Sequence, residues 1–280
     1  MLSYIGNGGR LGECISYIYG LFKFCQNNDI SSRKIVIDYN YKNKSLLRNK
    51  KNEYVFHDCQ EMFSNVDYIF KDVDKGYFDN FEVVDIKCLT DITLLYNFYK
   101  YNDNFNKDSD IIFKNYWSLD DFFRLKDPYF DYILLNRICR PKKLVSRLKK
   151  KYSDILTKNC IGIHIRREDY IGIENPDVLI EDVQSRMIDF YRHKKLYTKQ
   201  DIVEIIEDNK DKNVLLFSDD VKWLEDNFEI YRNVNIIRDN KPFEDMILLS
   251  LCGSVIKNPG SFFSQISKIL NESNGMLSYV

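Results

Sequence analysis

Between positions 160 and 174 the sequence CIGIHIRREDYIGIE passes abruptly from apolar residues to a dense polar run: His164, Arg166, Arg167, Glu168, Asp169 and then Glu174. Arginine carries a permanent charge on a planar fork that grips phosphate oxygens two at a time. Two successive arginines therefore point to a phosphate-bearing ligand, or to ion pairs with the carboxylates beside them. The carboxylates bring a second kind of chemistry, because one placed against a hydroxyl can take its proton. Two more polar runs lie downstream, 218-SDD-220 and 258-NPGSFFSQ-265. The first offers carboxylate acceptors to the ring N–H and amino group of guanine or to ribose hydroxyls, or else an N-cap for the helix that follows. The second is a Gly/Ser turn entering a helix, whose free N–H groups and hydroxyls make a natural anion site or an ordinary serine-capped turn.

These runs must be held by something regular. Residues 160–165 read as a buried strand, followed by helical patterns near 176–192 and 198–209. Strand 213–217, helix 221–227, strand 234–237, helix 242–251, strand 254–256 and helix 262–271 complete the series. Strands alternating with helices predict a parallel sheet covered on both faces, and ligands of such sheets bind beyond the carboxyl ends of the strands. All three polar runs sit at such ends. Side chains alternate along a strand, so His164 and Arg166 should point one way and Arg167 the other. The N-terminal half opens in the same manner, with a strand at 1–5, a glycine cluster 6-GNGGRLG-12, helical spacing from Leu11 to Cys25 and strand 34-KIVID-38. Residues 40–135 show no order of elements, and helices and irregular connections are expected there. The fold class expected is α/β in two domains, 1–153 and 154–280, with a basic segment 140-RPKKLVSRLKKKY-152 next to the boundary. That segment reads either as a solvated helix covering the core or as a contact with an anionic membrane surface.

Composition narrows the function classes. The chain has 280 residues, 44% of them apolar, and 41 basic residues against 42 acidic. A net charge of −1 argues against general nucleic-acid binding, which wants a basic excess. Seven scattered Cys with no Cys-x-x-Cys pair read as reduced thiols. No apolar run is long enough to span a bilayer and no signal peptide is evident, so a cytoplasmic protein is expected.

The residues H-x-R-R-x-D-Y at 164–170, F-S-D-D at 217–220 and E-D-M-x-L-x-S-L-C at 244–252 resemble, in this order and at similar spacing, the bacterial α-1,2-fucosyltransferases. The segment 9-GRLG-12 resembles that family's opening turn, and 115-NYWSLDDFF-123 its mid-chain aromatic segment more loosely. The resemblance implies a GT-B architecture of two Rossmann-like halves facing across a cleft. It also implies GDP-fucose as donor, a glycan acceptor, inversion at the anomeric carbon, and no metal or other cofactor. Arg166 would grip the donor diphosphate, with His164 and Arg167 shaping the pocket. Asp219 or Asp220 would meet the guanosine. Asn258, Ser261, Phe262, Phe263, Ser264 and Gln265 would form the phosphate turn, and Gly9, Arg10 and Gly12 would contribute from the other half. Three positions depart from the family pattern: Glu168 stands where Gly is usual, Gly12-Glu13-Cys14 replaces Gly-Asn-Gln, and the final turn is N-P-G-S-F-F-S-Q. That turn, with Glu174, looks closer to the α-1,6-fucosyltransferases and leaves the linkage open.

Glu13, Asp169 and Glu174 compete as the base that deprotonates the acceptor. Each has a plain structural alternative: a first-turn carboxylate favouring the helix dipole, a holder of the arginines, and surface charge. A dinucleotide-dependent oxidoreductase fits poorly, because Gly6, Gly8, Gly9 and Gly12 are not spaced G-x-G-x-x-G. A metal-dependent glycosyltransferase would need 72-DVD-74 or 108-DSD-110, triplets that arise by chance in so acidic a chain. A non-catalytic sugar-nucleotide-binding protein is the third rival. An enzyme of the expected kind would decorate a surface-glycan precursor on a lipid carrier, with peripheral contact at the inner face of the membrane.

Overall fold

The computed structural model describes residues 2–5, 11–28, 35–38, 68–71, 80, 82–85, 109–114, 131–167, 197–258 and 261–277. The chain divides into two compact units, Met1–Pro141 and Lys142–Val280.

The first unit contains β1 (Leu2–Ile5), α1 (Leu11–Asn27), β2 (Ile35–Asp38), β3 (Tyr68–Lys71), β4 (Glu82–Asp85), β5 (Ile111–Lys114) and α2 (Tyr132–Cys139). Among the described residues its five strands form one all-parallel sheet in the order β3-β2-β1-β5-β4. The expected β–α–β opening is present as β1, α1 and β2. Three strands, β3 to β5, lie in the stretch for which sequence reading offered helices and irregular connections. Each is only four residues long, too short for a period-2 pattern to emerge among Asn, Asp and Tyr neighbours. Helix α1 buries Ile15, Ile18, Tyr19 and Phe24, and α2 packs against it. Asp131 fixes that packing from both ends: its backbone N–H donates to the Tyr19 hydroxyl at 2.8 Å, and its carboxylate accepts from Leu134 N–H at 2.8 Å as the N-cap of α2.

The second unit contains α3 (Lys142–Lys151), β6 (Ile161–Ile165), α4 (Lys199–Asp208), β7 (Val214–Ser218), α5 (Val221–Phe228), β8 (Val234–Ile236), α6 (Pro242–Leu251), β9 (Ser254–Ile256) and α7 (Phe262–Leu277). Its sheet is all-parallel in the order β8-β7-β6-β9. Alternation along β6 and β7 splits the sheet. Ile161, Ile163, Ile165, Val214 and Leu216 pack with Ile202 and Ile206 of α4 and with Leu224 and Phe228 of α5. The other face carries α6, and α7 lies beside α6 and β9. Each buried Ile, Leu or Phe is worth about 1.5–3 kcal/mol relative to exposure, so β6 is held by a substantial apolar layer. Gly162 shows how tightly: a Cβ there would lie 2.5 Å from Leu249 Cδ1 and 2.8 Å from Cys252 Sγ.

The boundary falls before α3, where the sequence suggested 153/154. Leu144 and Leu148 are fully buried, α3 packs on α6, and Arg147 pairs with Glu244 at 2.7 Å. These contacts tie the basic helix to the second unit. At its end, Lys151 Nζ and the Tyr152 hydroxyl both donate to Asn240 Oδ1 at 2.7 Å, while Asn240 Nδ2 donates to Asp245 Oδ1 at 2.9 Å.

Burial pushes the Asp245 carboxyl up from an ordinary 3.8 to about 7, opposed by the Asn240 amide and by Lys151. The folded state thus holds a proton that the unfolded chain releases between about pH 4 and 7, so stability falls as pH rises through that window. Asp245→Asn is expected to be more stable than the parent at pH 8, by on the order of a few kcal/mol, and to match it only below the unfolded carboxyl's value of 3.8, at about pH 3. Thermal melts at the two pH values check this; an equal difference at both would refute it.

Candidate active site

Strand β6 delivers its polar residues beside the ends of β7 and β9. Parallel register sets Ile165 against Ser218 and Ile163 against Ile256. The Ser218 hydroxyl donates to Ile165 C=O at 2.7 Å and accepts from Asp220 N–H at 3.0 Å. This single side chain pins the exit of β6 to the turn after β7.

The two arginines leave that exit in different directions, as strand alternation requires. Arg166 Nη1 lies 3.0 Å from Asp219 Oδ2, and Asp219 Oδ1 accepts the backbone N–H of Arg167 at 2.8 Å. Arg167 turns toward α5, where Nε meets Asp220 Oδ2 at 3.3 Å and the guanidinium lies 3.8 Å over the Trp223 ring. Asp220 Oδ1 also accepts from Trp223 N–H at 3.1 Å, so Asp220, and neither Ser218 nor Asp219, is the N-cap of α5. Both aspartates expected on guanosine are engaged with the arginines, and Asp220 is a helix cap as well. Sequence reading missed Trp223. Its signal was faint: a Trp three residues after an Asp that could cap a helix.

On the face opposite Arg167, His164 is buried. Its Nδ1 is 3.4 Å from Ser261 Oγ, and its ring stacks on Phe263 at 4.6 Å between centroids. Burial lowers the imidazole to about 4 although Asp219 pulls the other way. His164 is therefore neutral at pH 7 and serves as a wall with one hydrogen bond, adding no charge to the arginines. Ser264 is wholly buried. Its hydroxyl accepts from Asn258 N–H at 3.1 Å and sits 3.2 and 3.1 Å from the carbonyls of Asn258 and Ser261. It closes the turn between β9 and α7. Ser261 holds the N-terminal end of that 16-residue helix, and Gln265 N–H donates to Ser261 C=O at 3.0 Å. Phe262 begins α7.

The structure thus brings together His164, Arg166, Arg167, Asp219, Asp220, Asn258, Ser261, Phe263, Ser264 and Gln265. Gly12 and Glu13 lie in the first turn of α1. Gly9, Arg10, Glu168, Asp169 and Glu174, and the side chains of Glu13 and Phe262, lie outside the described residues, as do Asp72, Asp74 and Asp108. The 244–252 motif has a structural role. Glu244 accepts from Lys241 N–H at 2.8 Å in the first turn of α6. Ser267 of α7 lies 3.2 Å from Met246 C=O, and Asn271 Nδ2 donates to Cys252 C=O at 2.6 Å.

The model of glycosyl transferase family 11 matches residues 118–277, more than half of the chain and the whole of this site. No curated relative matches. Among solved structures, POFUT1 in its apo form aligns over 97% of this chain and 94% of its own at 12% identity, with a TM-score of 0.54. POFUT1 in complex with GDP-fucose covers 96% and 94% at 10% identity, with a TM-score of 0.51. Fucosyltransferase NodZ from Bradyrhizobium covers 96% and 93% at 14% identity, with a TM-score of 0.50. At such identities the likeness speaks for the fold, which is the mixed α/β, parallel-sheet GT-B class. The strand-end arginines, the β9–α7 turn and the family match lead to one assignment: the chain belongs to glycosyl transferase family 11 and is a fucosyltransferase.

Proposed function

We propose that the protein transfers fucose from GDP-fucose to a sugar hydroxyl of a glycan, in α-1,2 linkage, with inversion and without a divalent metal. The observation that carries the donor is the pair Arg166 and Arg167, each held by its own carboxylate at the end of β6, in a unit whose β9–α7 turn starts a long helix. A leaving diphosphate gains negative charge as the sugar departs. A fixed guanidinium and helix-end N–H groups stabilise that charge without reorganising, each strong donor being worth about 3 kcal/mol. GDP-fucose as donor is further supported by POFUT1, which has been seen in complex with it. The linkage rests on the motif order of 164–170, 217–220 and 244–252. The base is one of Glu13, Asp169 and Glu174. Asp219 and Asp220 orient the arginines.

Calorimetric titration with GDP in excess EDTA tests the site. Micromolar binding unchanged by the chelator is the expected result, with glycan product linkage then read by NMR. Binding that vanishes with EDTA would overturn the metal-free reading, and binding of UDP in preference to GDP would overturn the donor.

A further inference from the structure

We propose that the outward face of α3 docks this protein on an anionic lipid bilayer. The helix buries Leu144 and Leu148 and commits two of its exposed cations to partners at its edge, Arg147 to Glu244 and Lys151 to Asn240. What remains is an arc of about 120° at 3.6 residues per turn made of Lys142, Lys143, Ser146, Lys149 and Lys150, all exposed. Among the described residues no carboxylate pairs with any of the four lysines. Segregation this complete contrasts with a chain whose charges balance to −1.

A second observation separates this face from an ordinary solvated helix. Lysines in the last turn, such as Lys149 and Lys150, complement the negative end of the helix dipole. Lys142 and Lys143 stand in the first turn, where the dipole disfavours cations and where no acidic residue is present. The fold gains nothing from them there, and a local rule broken without compensation marks a functional position. The face is about 15 Å long and carries no Arg and no aromatic ring. That composition fits a diffuse layer of headgroup charge, whereas nucleic acid is gripped by Arg forks and aromatic stacking. No helix among the described residues is long and apolar enough to cross a membrane, so the contact proposed is a surface contact.

The test is co-sedimentation of the whole protein with phosphatidylcholine vesicles and with vesicles of equal parts phosphatidylcholine and phosphatidylglycerol. Binding is expected only to the anionic vesicles and should fade as salt is raised. Each lysine near such a surface contributes about fivefold, so changing Lys142, Lys143, Lys149 and Lys150 to Gln should weaken binding several-hundredfold, in effect to nothing. Changing Lys199, Lys210, Lys222 and Lys268 to Gln removes the same charge elsewhere and should retain most binding. No sedimentation of the parent at low salt, or equal loss in both variants, overturns the proposal. Displacement of the protein from vesicles by a DNA duplex at equal phosphate concentration overturns it in favour of nucleic acid. No sugar nucleotide enters the assay, so its outcome is independent of the donor assignment.

Discussion

Arg166→Ala is expected to lower fucosyl transfer by 10²- to 10³-fold, the loss typical when one preorganised donor is taken from a developing anion, and to weaken GDP binding in parallel. The side chain is mostly buried against Asp219, so its removal also leaves a carboxylate short of its partner, which destabilises the fold. The two effects separate in the double variant Arg166→Ala/Asp219→Ala. Melting temperature should recover, because the stranded charge is gone, while activity stays lost. Arg166→Lys should remain impaired, since an ammonium cannot reproduce the two-pronged fork. Measured kcat within threefold of the parent in Arg166→Ala would remove this residue from the reaction.

Gly253→Ala should be the most damaging single methyl in the second unit. A Cβ at that position would lie 1.9 Å from Lys158 C=O and 3.0 Å from Cys160 C=O, and backbone cannot swing aside as a side chain can. Relief would require parting residues 158–160 from the start of β9. That would break the Ser254 N–H to Cys160 C=O bond of 3.1 Å and the Ile161–Ser254 register on which β6 depends. A cost of about 3 kcal/mol or more is expected, a fall of roughly 6–12 °C in melting temperature. Gly20→Ala is the matched control: nothing lies within 4 Å of a Cβ there, and Ala in a helix is favoured by about 0.5–1 kcal/mol. If both variants melt alike, the close approach at Gly253 is not what fixes the strand.

Much of the second unit was legible because its cues are strong and local. The apolar run 160–165 reads as a buried strand and is one, and the helices expected near 198–209, at 221–227 and at 242–251 stand as α4, α5 and α6. Alternation along β6 correctly sent His164 and Arg167 to opposite faces. What sequence spacing does not encode is how adjacent polar groups partition among themselves. Asp219 and Asp220 are neighbours in the chain, yet one braces Arg166 and the other splits its oxygens between Arg167 and a helix cap. Ser264 reads as a phosphate ligand until its hydroxyl is seen closing its own turn. In the first unit β3, β4 and β5 escaped notice because four-residue strands are defined by their neighbours in the sheet, not by their own pattern.

The bracing of the arginines bears on how the enzyme lets go. On the proposed function, an arriving diphosphate would not enter a bare positive socket; it would compete with carboxylates already 3.0 and 3.3 Å from the guanidiniums. When GDP left, those carboxylates would be waiting, and neither cation would be stranded in a mostly buried site. Such an exchange would set a ceiling on affinity for the spent nucleotide and shorten its stay. Tight grip and rapid turnover pull against each other, and an internal counter-ion shifts the balance toward turnover.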